Sequence, residues 1–167
     1  DAMTLSAMTY LTNLVVSNVG AWMWKSNSSA YLRVPFVVTN RVDLNRLALR
    51  LQFDDGFVAY LNGVEVARSN APATPAWNSA ATDSRTSDLE STTFETIDVT
   101  SRIGLLMPTG NVLAIQALNA SATDGDLLSA AELSQTVIEP LDNHFFQLPT
   151  PGAPNTPYVF KLNKGQH

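Results

Sequence analysis

Apolar and polar residues alternate most strictly between residues 46 and 53. Four apolar side chains, Leu47, Leu49, Leu51 and Phe53, occupy every second position, and the positions between them are polar or small. Side chains of a β-strand point alternately to opposite faces of a sheet. The pattern therefore predicts a strand with one buried face and one face nearer to water.

A β-hairpin is predicted directly after this strand. Asp54, Asp55 and Gly56 interrupt the alternation, and two apolar runs then flank the pair Asn62-Gly63. Asn-Gly accepts a positive φ at both central positions, as a two-residue type I′ turn requires. The runs on either side of Asn62-Gly63 should therefore pair as antiparallel strands. Gly56 is expected to supply a positive φ in the preceding turn.

The remaining apolar runs are short and bounded by turn-forming residues, which favours strands. Pro35 has no N–H to donate, so its strand is expected at a sheet edge or a bulge. Residues 111–118 are apolar on both faces, which is typical of a central strand. A short helix is expected within residues 15–23, with one of Trp22 and Trp24 in the core. The other predicted strands are residues 31–38, 94–99 and 127–133, with a last short strand at 144–148.

A long polar loop separates the hairpin from the later strands. Residues 69–91 are rich in Ser, Thr, Asn and Asp, and such long loops in compact domains are usually functional or mobile. Short strands without alternating helical segments favour an all-β fold, an antiparallel β-sandwich, over a βαβ fold. Residues 1–155 are expected to form one module. Residues 156–167, which follow a proline-rich stretch, are expected to form an extended tail or linker.

Composition and charge exclude several classes of function. The net charge of −5 disfavours nucleic-acid partners, whereas divalent cations are compatible with it. The chain has no cysteine, so disulfides and zinc–thiolate sites are excluded. No run of about 18 apolar residues predicts a membrane span. No nucleophile elbow, His-Glu-x-x-His or phosphate-loop motif occurs, so we expect no enzyme.

Residues 49–68, followed by Asn70 and Pro72, resemble a module of large exported bacterial proteins. The pattern is a strand, Asp-Asp-Gly, an aromatic strand, Asn-Gly and a strand that ends in Arg. Matching positions continue through residues 27–33 and 110–115, Asn119, Asp126, residues 132–133 and the exit segment 148–155. Such modules are similar to the galactose-binding-like jelly-roll superfamily, which includes many carbohydrate-binding modules.

This resemblance implies a jelly-roll sandwich in a secreted or cell-surface multidomain protein, of the kind found in planctomycetes. Its partners would then include neighbouring domains of the same polypeptide. The superfamily binds many different ligands or none, so the resemblance does not transfer a ligand.

Adjacent carboxylates at a strand end are the sharpest chemical feature. Asp54 and Asp55 can offer hard oxygen ligands to Ca²⁺, and a similar pair binds calcium and sugar together in lectin modules of the protective-antigen type. Alternatively, these side chains accept hydrogen bonds from backbone N–H groups of the turn. Asp124 and Asp126 form a second candidate calcium site, for which ordinary loop chemistry is the alternative.

Aromatic side chains are the usual platforms for sugars, because a flat ring contacts the C–H face of a sugar ring. Trp77 lies beside Asn78 in the long loop, where it either plugs the sandwich or faces a ligand. Tyr60 is a platform or a cross-strand partner of Val66. Arg68 binds an acidic sugar or forms an ordinary ion pair.

The sequence therefore predicts a non-catalytic carbohydrate-binding module. A structural spacer or protein-interaction module without glycan binding is the alternative. The predicted ligand-binding residues are Trp77, Asn78, Tyr60, Arg68, Asp54 and Asp55, and the predicted calcium ligands are Asp54, Asp55, Asp124 and Asp126.

Overall fold

A computed structural model describes residues 17–38 and 44–137, which belong to one compact unit, Asp1–Val137. Seven strands of this described part form two antiparallel sheets, which confirms the all-β sandwich. One sheet has the order β1-β6-β3-β4 and the other has the order β5-β2-β7. The strands are β1 Ser29–Phe36, β2 Leu44–Asp54, β3 Gly56–Leu61, β4 Val64–Ser69, β5 Glu95–Asp98, β6 Asn111–Leu118 and β7 Leu128–Val137.

Helical structure is brief. The single-turn helices α1 and α2 span Gly20–Met23 and Asp88–Ser91, and a 3-10 helix spans Thr100–Leu105. No helix of residues 17–38 and 44–137 is long and apolar enough to cross a membrane. The predicted strand at 144–148 and the predicted module boundary at residue 155 lie outside the described residues, as does the predicted tail.

The core lies between the two sheets and follows the alternation of the sequence. All four apolar positions of β2 from Leu47 to Phe53 are buried, and they pack against β3 and β6. Burial of one such side chain contributes about 1.5–3 kcal/mol. Phe53 and Phe57 meet edge to face, with ring centroids 4.7 Å apart. The principal core residues are Leu47, Leu49, Leu51, Phe53, Phe57, Ala59, Leu61, Leu113 and Ile115.

The predicted hairpin is confirmed. Strands β3 and β4 pair in antiparallel register, and Asn62 and Gly63 between them have φ values of 51° and 84°. The Asn62 side chain also bonds to neighbouring segments. Its Nδ2 donates to the carbonyl of Leu105 at 2.7 Å. Its Oδ1 accepts the N–H of Val112 at 2.8 Å. The turn is therefore fastened to the neighbouring strand β6.

The predicted edge and central strands are also confirmed. β1, which contains Pro35, lies at the edge of its sheet, and β6 lies between β1 and β3. β7 extends to Val137, beyond the end predicted for it. On β7, Glu132 pairs with Arg50 of β2 at 2.6 Å, so this residue stands in a strand although Glu favours helices.

Two local expectations are wrong. Gly56 does not have a positive φ. It is required because a Cβ there would lie 2.7 Å from the carbonyl oxygen of Asn70. Trp22 and Trp24 are both exposed, and Met23 between them is the buried residue. A helix of one turn presents only one side to the core, and in α1 that side carries Met23.

Candidate functional site

The long polar loop lies against the outer face of the β1-β6-β3-β4 sheet. Gln116 of β6 follows the core residue Ile115, so its side chain points to that outer face. Its Nε2 donates to the carbonyl of Ala76 at 2.8 Å and to the Ser29 hydroxyl at 3.0 Å. The hydroxyl of Tyr31 donates to the carbonyl of Trp77 at 2.6 Å. The loop is therefore fastened to β1 and β6.

Asn78 attaches the same loop to the beginning of β1. Its Oδ1 accepts the N–H groups of Ser28 and Ser29 at 2.8 and 3.2 Å. The Ser29 hydroxyl donates to the carbonyl of Ser79 at 2.7 Å. The side-chain oxygen of Asn78 therefore positions Trp77 from one side, as the Tyr31 hydroxyl does from the other.

Trp77 lies on the surface. It is 75% exposed, although the carbonyls of Ala76 and Trp77 and the side chain of Asn78 are all hydrogen-bonded. This exposure excludes the interpretation of Trp77 as a plug in the end of the sandwich. The ring is presented to solvent from a fixed backbone.

Two tyrosines and an arginine lie on the outer face of the sheet, and one of them, Tyr31, bonds the Trp77 carbonyl. Tyr31 and Arg33 flank the core-facing Leu32, and Tyr60 lies between two core residues of β3. Burial raises the pKa of the Tyr31 phenol, the Tyr60 phenol raises it further, and Arg33 lowers it. These three side chains are therefore close enough to interact through space. We call the surface formed by Trp77, Tyr31, Tyr60 and Arg33 the aromatic face.

The strand register places a small residue between Arg33 and Tyr60 of the aromatic face. Arg33 of β1 and Tyr60 of β3 both pair with Ala114 of β6, so the three residues form one row across the sheet. With about 4.8 Å between neighbouring strands, Arg33 and Tyr60 stand about 10 Å apart. The small side chain of Ala114 lies between them. No carboxylate of the described residues forms an ion pair with Arg33.

Arg68 holds the loop, and its ion-pair interpretation is confirmed. Its Nε and Nη2 donate to the two carboxylate oxygens of Glu65, both at 2.5 Å. Its Nη1 donates to the carbonyls of Pro72 and Ala73 at 2.8 and 3.2 Å. The guanidinium also lowers the pKa of Glu65 through the hydrogen bonds between them. All three nitrogens of Arg68 thus have partners within the protein.

Asp55 is a buried attachment point for two loops. Its Oδ1 accepts the N–H of Arg85 at 2.8 Å, and its Oδ2 accepts the N–H of Ala120 at 2.6 Å. Its carbonyl accepts a hydrogen bond from the Asn70 side chain at 2.9 Å. Asp55 therefore accepts hydrogen bonds from backbone N–H groups, as in the alternative to calcium binding. These groups lie 30 and 65 residues away, however, and not in the adjacent turn.

Asp54 is also buried, but its Oδ1 has no hydrogen-bond partner among the described residues. Burial raises the pKa of Asp54 to about 8, and the charges of Asp126 and Asp55 add to the effect. The pKa of Asp126 is raised to about 7 by burial, by its hydrogen bond with Asp124 and by the neighbouring charges. Each of the four aspartates predicted as calcium ligands therefore interacts with at least one of the others.

Asn119 belongs to the same region. Its Nδ2 donates to the carbonyl of Asp124 at 3.0 Å, and its Oδ1 is buried without a partner among the described residues. Asn119 directly precedes Ala120, whose N–H donates to Asp55. We call Asp54, Asp55, Asn119, Asp124 and Asp126 the acidic end. No group of three or more acidic, His or Cys side chains in the described ranges is arranged to hold a metal ion.

The six residues predicted for a single ligand site occupy two environments. Trp77, Asn78, Tyr60 and Arg68 surround the outer face of one sheet, whereas Asp54 and Asp55 are buried in the acidic end. Sequence reasoning missed Tyr31, whose alternation with Leu32 already placed it on the outer face. It also missed Asn119 and Gln116, which carry no local signal of their role.

The strand pairing defines the class of protein as an all-β sandwich module. A comparison with models of known protein families finds no match, and neither does a comparison with curated proteins. Among solved structures, this chain is similar to one described as the crystal structure of Streptomyces avermitilis alpha-L-rhamnosidase complexed with L-rhamnose. The match has 18% identity and a TM-score of 0.39, and it covers 70% of this chain and 11% of that chain.

Proposed function

We propose that the chain is a non-catalytic carbohydrate-binding module and that its ligand binds on the aromatic face. The observation that supports this function most directly is the exposure of Trp77 on a loop that is held by hydrogen bonds to the Trp77 carbonyl and to the Asn78 side chain. A large aromatic ring in water forgoes the free energy of burial. A ring already held in place loses little conformational entropy when a ligand stacks on it.

The neighbours of Trp77 suit a sugar. The apolar ring would contact the C–H face of a sugar ring, and polar groups at the edge would bind its hydroxyls. The Tyr31 and Tyr60 hydroxyls can donate or accept such hydrogen bonds. Arg33 is a donor whose charge would favour sugars that carry a carboxylate. Asn78 and Arg68 would act by holding the loop in place.

We also propose the context that the sequence resemblance implies, a secreted or cell-surface bacterial protein with further domains. In such a protein the module would hold its neighbours close to a polysaccharide, and the linked domains would gain effective concentration at its surface.

A protein-interaction module is the second candidate. The observation that favours it is an exposed pair at the end of α1, Trp22 and Trp24, which are 74% and 49% exposed. Exposed tryptophans are frequent at the centres of protein interfaces. In this alternative the partner would be a neighbouring domain and no glycan would bind.

A glycan array probed with the labelled chain tests the first candidate. The wild-type chain should bind one class of plant, algal or host glycans, and Trp77→Ala should weaken that binding by at least about 30-fold, as expected for loss of a central aromatic contact. Trp22→Ala is the matched control, because it removes an equally exposed tryptophan that is not part of the aromatic face.

Two outcomes would contradict glycan binding on the aromatic face. One is equal binding by the wild type and Trp77→Ala. The other is the absence of binding to every glycan class, which would favour the protein-interaction module. Release of free sugar from a bound glycan would contradict the non-catalytic assignment.

A further inference from the structure

The long polar loop covers one row of residues on the outer face of the β1-β6-β3-β4 sheet. Gln116 of β6 pairs with Val58 of β3, which lies between the core residues Phe57 and Ala59 and therefore points outward. Gln116 and Val58 are nevertheless only 4% and 0% exposed. Because Gln116 donates to the carbonyl of Ala76, the loop lies over this row.

The next row across the same face is accessible to solvent. It consists of Arg33, Ala114 and Tyr60, and it lies two residues further along the strands, a separation of about 7 Å. Arg33 is exposed, and Ala114 and Tyr60 are half-buried. A single methyl group therefore separates two long polar side chains, beside the row that the loop covers.

Arg33 contributes a positive charge to this open row, and no ion pair of the described residues balances it. Acidic residues outnumber basic ones in the chain, which has a net charge of −5. A shortage of carboxylates therefore does not explain why Arg33 is unpaired. The Glu65 carboxylate, on the neighbouring strand β4, is bonded through both oxygens to Arg68. Four other arginines of the described residues each pair with a carboxylate: Arg46, Arg50, Arg68 and Arg85.

Tyr60 adds a second donor to the row. Its phenol interacts electrostatically with Tyr31 and with Arg68, and no hydrogen bond of the described residues uses its hydroxyl. The Tyr31 hydroxyl, by contrast, already donates to the carbonyl of Trp77. The free guanidinium of Arg33 and the free hydroxyl of Tyr60 both donate hydrogen bonds, so the group that suits them is an acceptor with negative charge.

We propose that the glycan bound by the aromatic face is acidic and that its anionic group binds to Arg33, with the Tyr60 hydroxyl as a second donor. This inference rests on the proposed function, because it names the class of sugar for the same face. The planar guanidinium matches the two oxygens of a carboxylate, and a sulfate ester offers similar oxygens. The net negative charge of the chain repels a polyanion, but salt at 0.1 M screens charges beyond about 10 Å. The local donors therefore decide the binding.

Calorimetric titration with charged and uncharged forms of the same glycan tests the inference. Oligogalacturonate carries a carboxylate on each sugar, and its methyl ester keeps the sugar rings without the charge. Dextran sulfate and dextran form the corresponding pair for sulfate esters. In chelator, the wild-type chain should bind the charged member of at least one pair about tenfold more tightly than the uncharged member, as expected for a charged hydrogen bond. The pair that shows the preference identifies the anionic group.

Arg33→Gln should abolish this preference and leave binding to the uncharged glycan unchanged. Arg33 is exposed on an edge strand, so the variant is expected to fold, and its melting temperature should equal that of the wild type within about 2 °C. Arg102→Gln is the matched control. Arg102 is also exposed and has no ion pair among the described residues, but it is not part of the aromatic face.

Three outcomes would overturn the assignment. The first is equal affinity of the wild type for both members of each pair; if Trp77→Ala still weakens that binding, the proposed function stands and only the acidic class fails. The second is an equal loss of preference in Arg33→Gln and Arg102→Gln, which would mark a general effect of charge. The third is binding of none of these glycans and of none on the array, which would contradict the proposed function as well.

Discussion

Asp55 connects three segments of the chain, and its replacement tests how the loops are held on the sandwich. In Asp55→Ala, the N–H groups of Arg85 and Ala120 lose their acceptors, which they now bind at 2.8 and 2.6 Å. A buried donor left without a partner costs about 1–3 kcal/mol, which gives about 2–6 kcal/mol for two. Both bonds are only partly shielded from water, so we expect the lower half of this range, about 2–4 kcal/mol.

The free energy of unfolding should be measured by urea denaturation with far-ultraviolet circular dichroism, in the presence of chelator. Far-ultraviolet detection is preferable because all three tryptophans are exposed and report poorly on the core. Asp55→Asn should cost less than Asp55→Ala, because the amide keeps one oxygen acceptor. Asp83→Ala is the control and should change stability by less than about 0.5 kcal/mol.

Amide hydrogen exchange should locate the effect. In Asp55→Asn, exchange should accelerate in residues 70–87 and 119–127, the two loops that Asp55 holds, and stay slow in β2 and β6. A loss below about 1 kcal/mol in Asp55→Ala would refute the assignment of Asp55 as the attachment point. Unchanged exchange in both loops would refute it as well.

Two further predictions concern the same end of the sandwich. Gly56→Ala should destabilise the chain by about 1–3 kcal/mol in urea denaturation, because the new Cβ would meet backbone oxygens. Gly104→Ala, whose Cβ would meet nothing within 4 Å, is its control, and equal stability of the two variants would contradict the close approach. The second prediction concerns pH, in the presence of chelator. The pKa values of Asp54 and Asp126 are about 8 and 7 in the folded chain and 3.8 in the unfolded chain. Their contribution to stability should therefore be greatest below pH 3.8 and be lost as the pH rises towards the folded values. Asp126→Asn should therefore gain stability relative to the wild type between pH 5 and 8; a constant difference across this range would show that these carboxyls do not titrate as the structure indicates.

Local patterns of the sequence predicted the strands well. The alternation in β2, the two-sided apolar run of β6 and the Asn62-Gly63 turn each depend on neighbouring residues, so a short window contains the whole signal. Pro35 likewise located an edge strand, because a missing N–H is a property of one residue.

The attachment of the loops could not be predicted in this way. Gln116 and Tyr31 hold the loop around Trp77 across 40 and 46 residues, and Asp55 bonds across 30 and 65. Nothing in the local sequence distinguishes a carboxylate that holds a distant loop from one that binds a ligand. For Trp77, the sequence left burial and exposure equally open, and only the packing of the loop on the sheet decided between them.

The calcium binding expected from the sequence and the proposed glycan binding can be tested separately. The aromatic face and the acidic end share no residue, so a chain could bind a cation for stability alone. A glycan that binds equally well with and without chelator would show that the two sites are independent, whereas loss of glycan binding in chelator would show that the cation also orders the loop that carries Trp77.

The most direct test of the aromatic face is a nuclear magnetic resonance titration of the ¹⁵N-labelled chain with a glycan identified on the array. The chain has three tryptophans, so its spectrum should contain three indole N–H signals, and the Trp77→Ala variant identifies the one from Trp77. We expect the glycan to shift the Trp77 indole signal and the backbone amides around Tyr31 and Tyr60, and to leave the signals of Trp22 and Trp24 in place. Shifts confined to Trp22 and Trp24 would contradict ligand binding on the aromatic face.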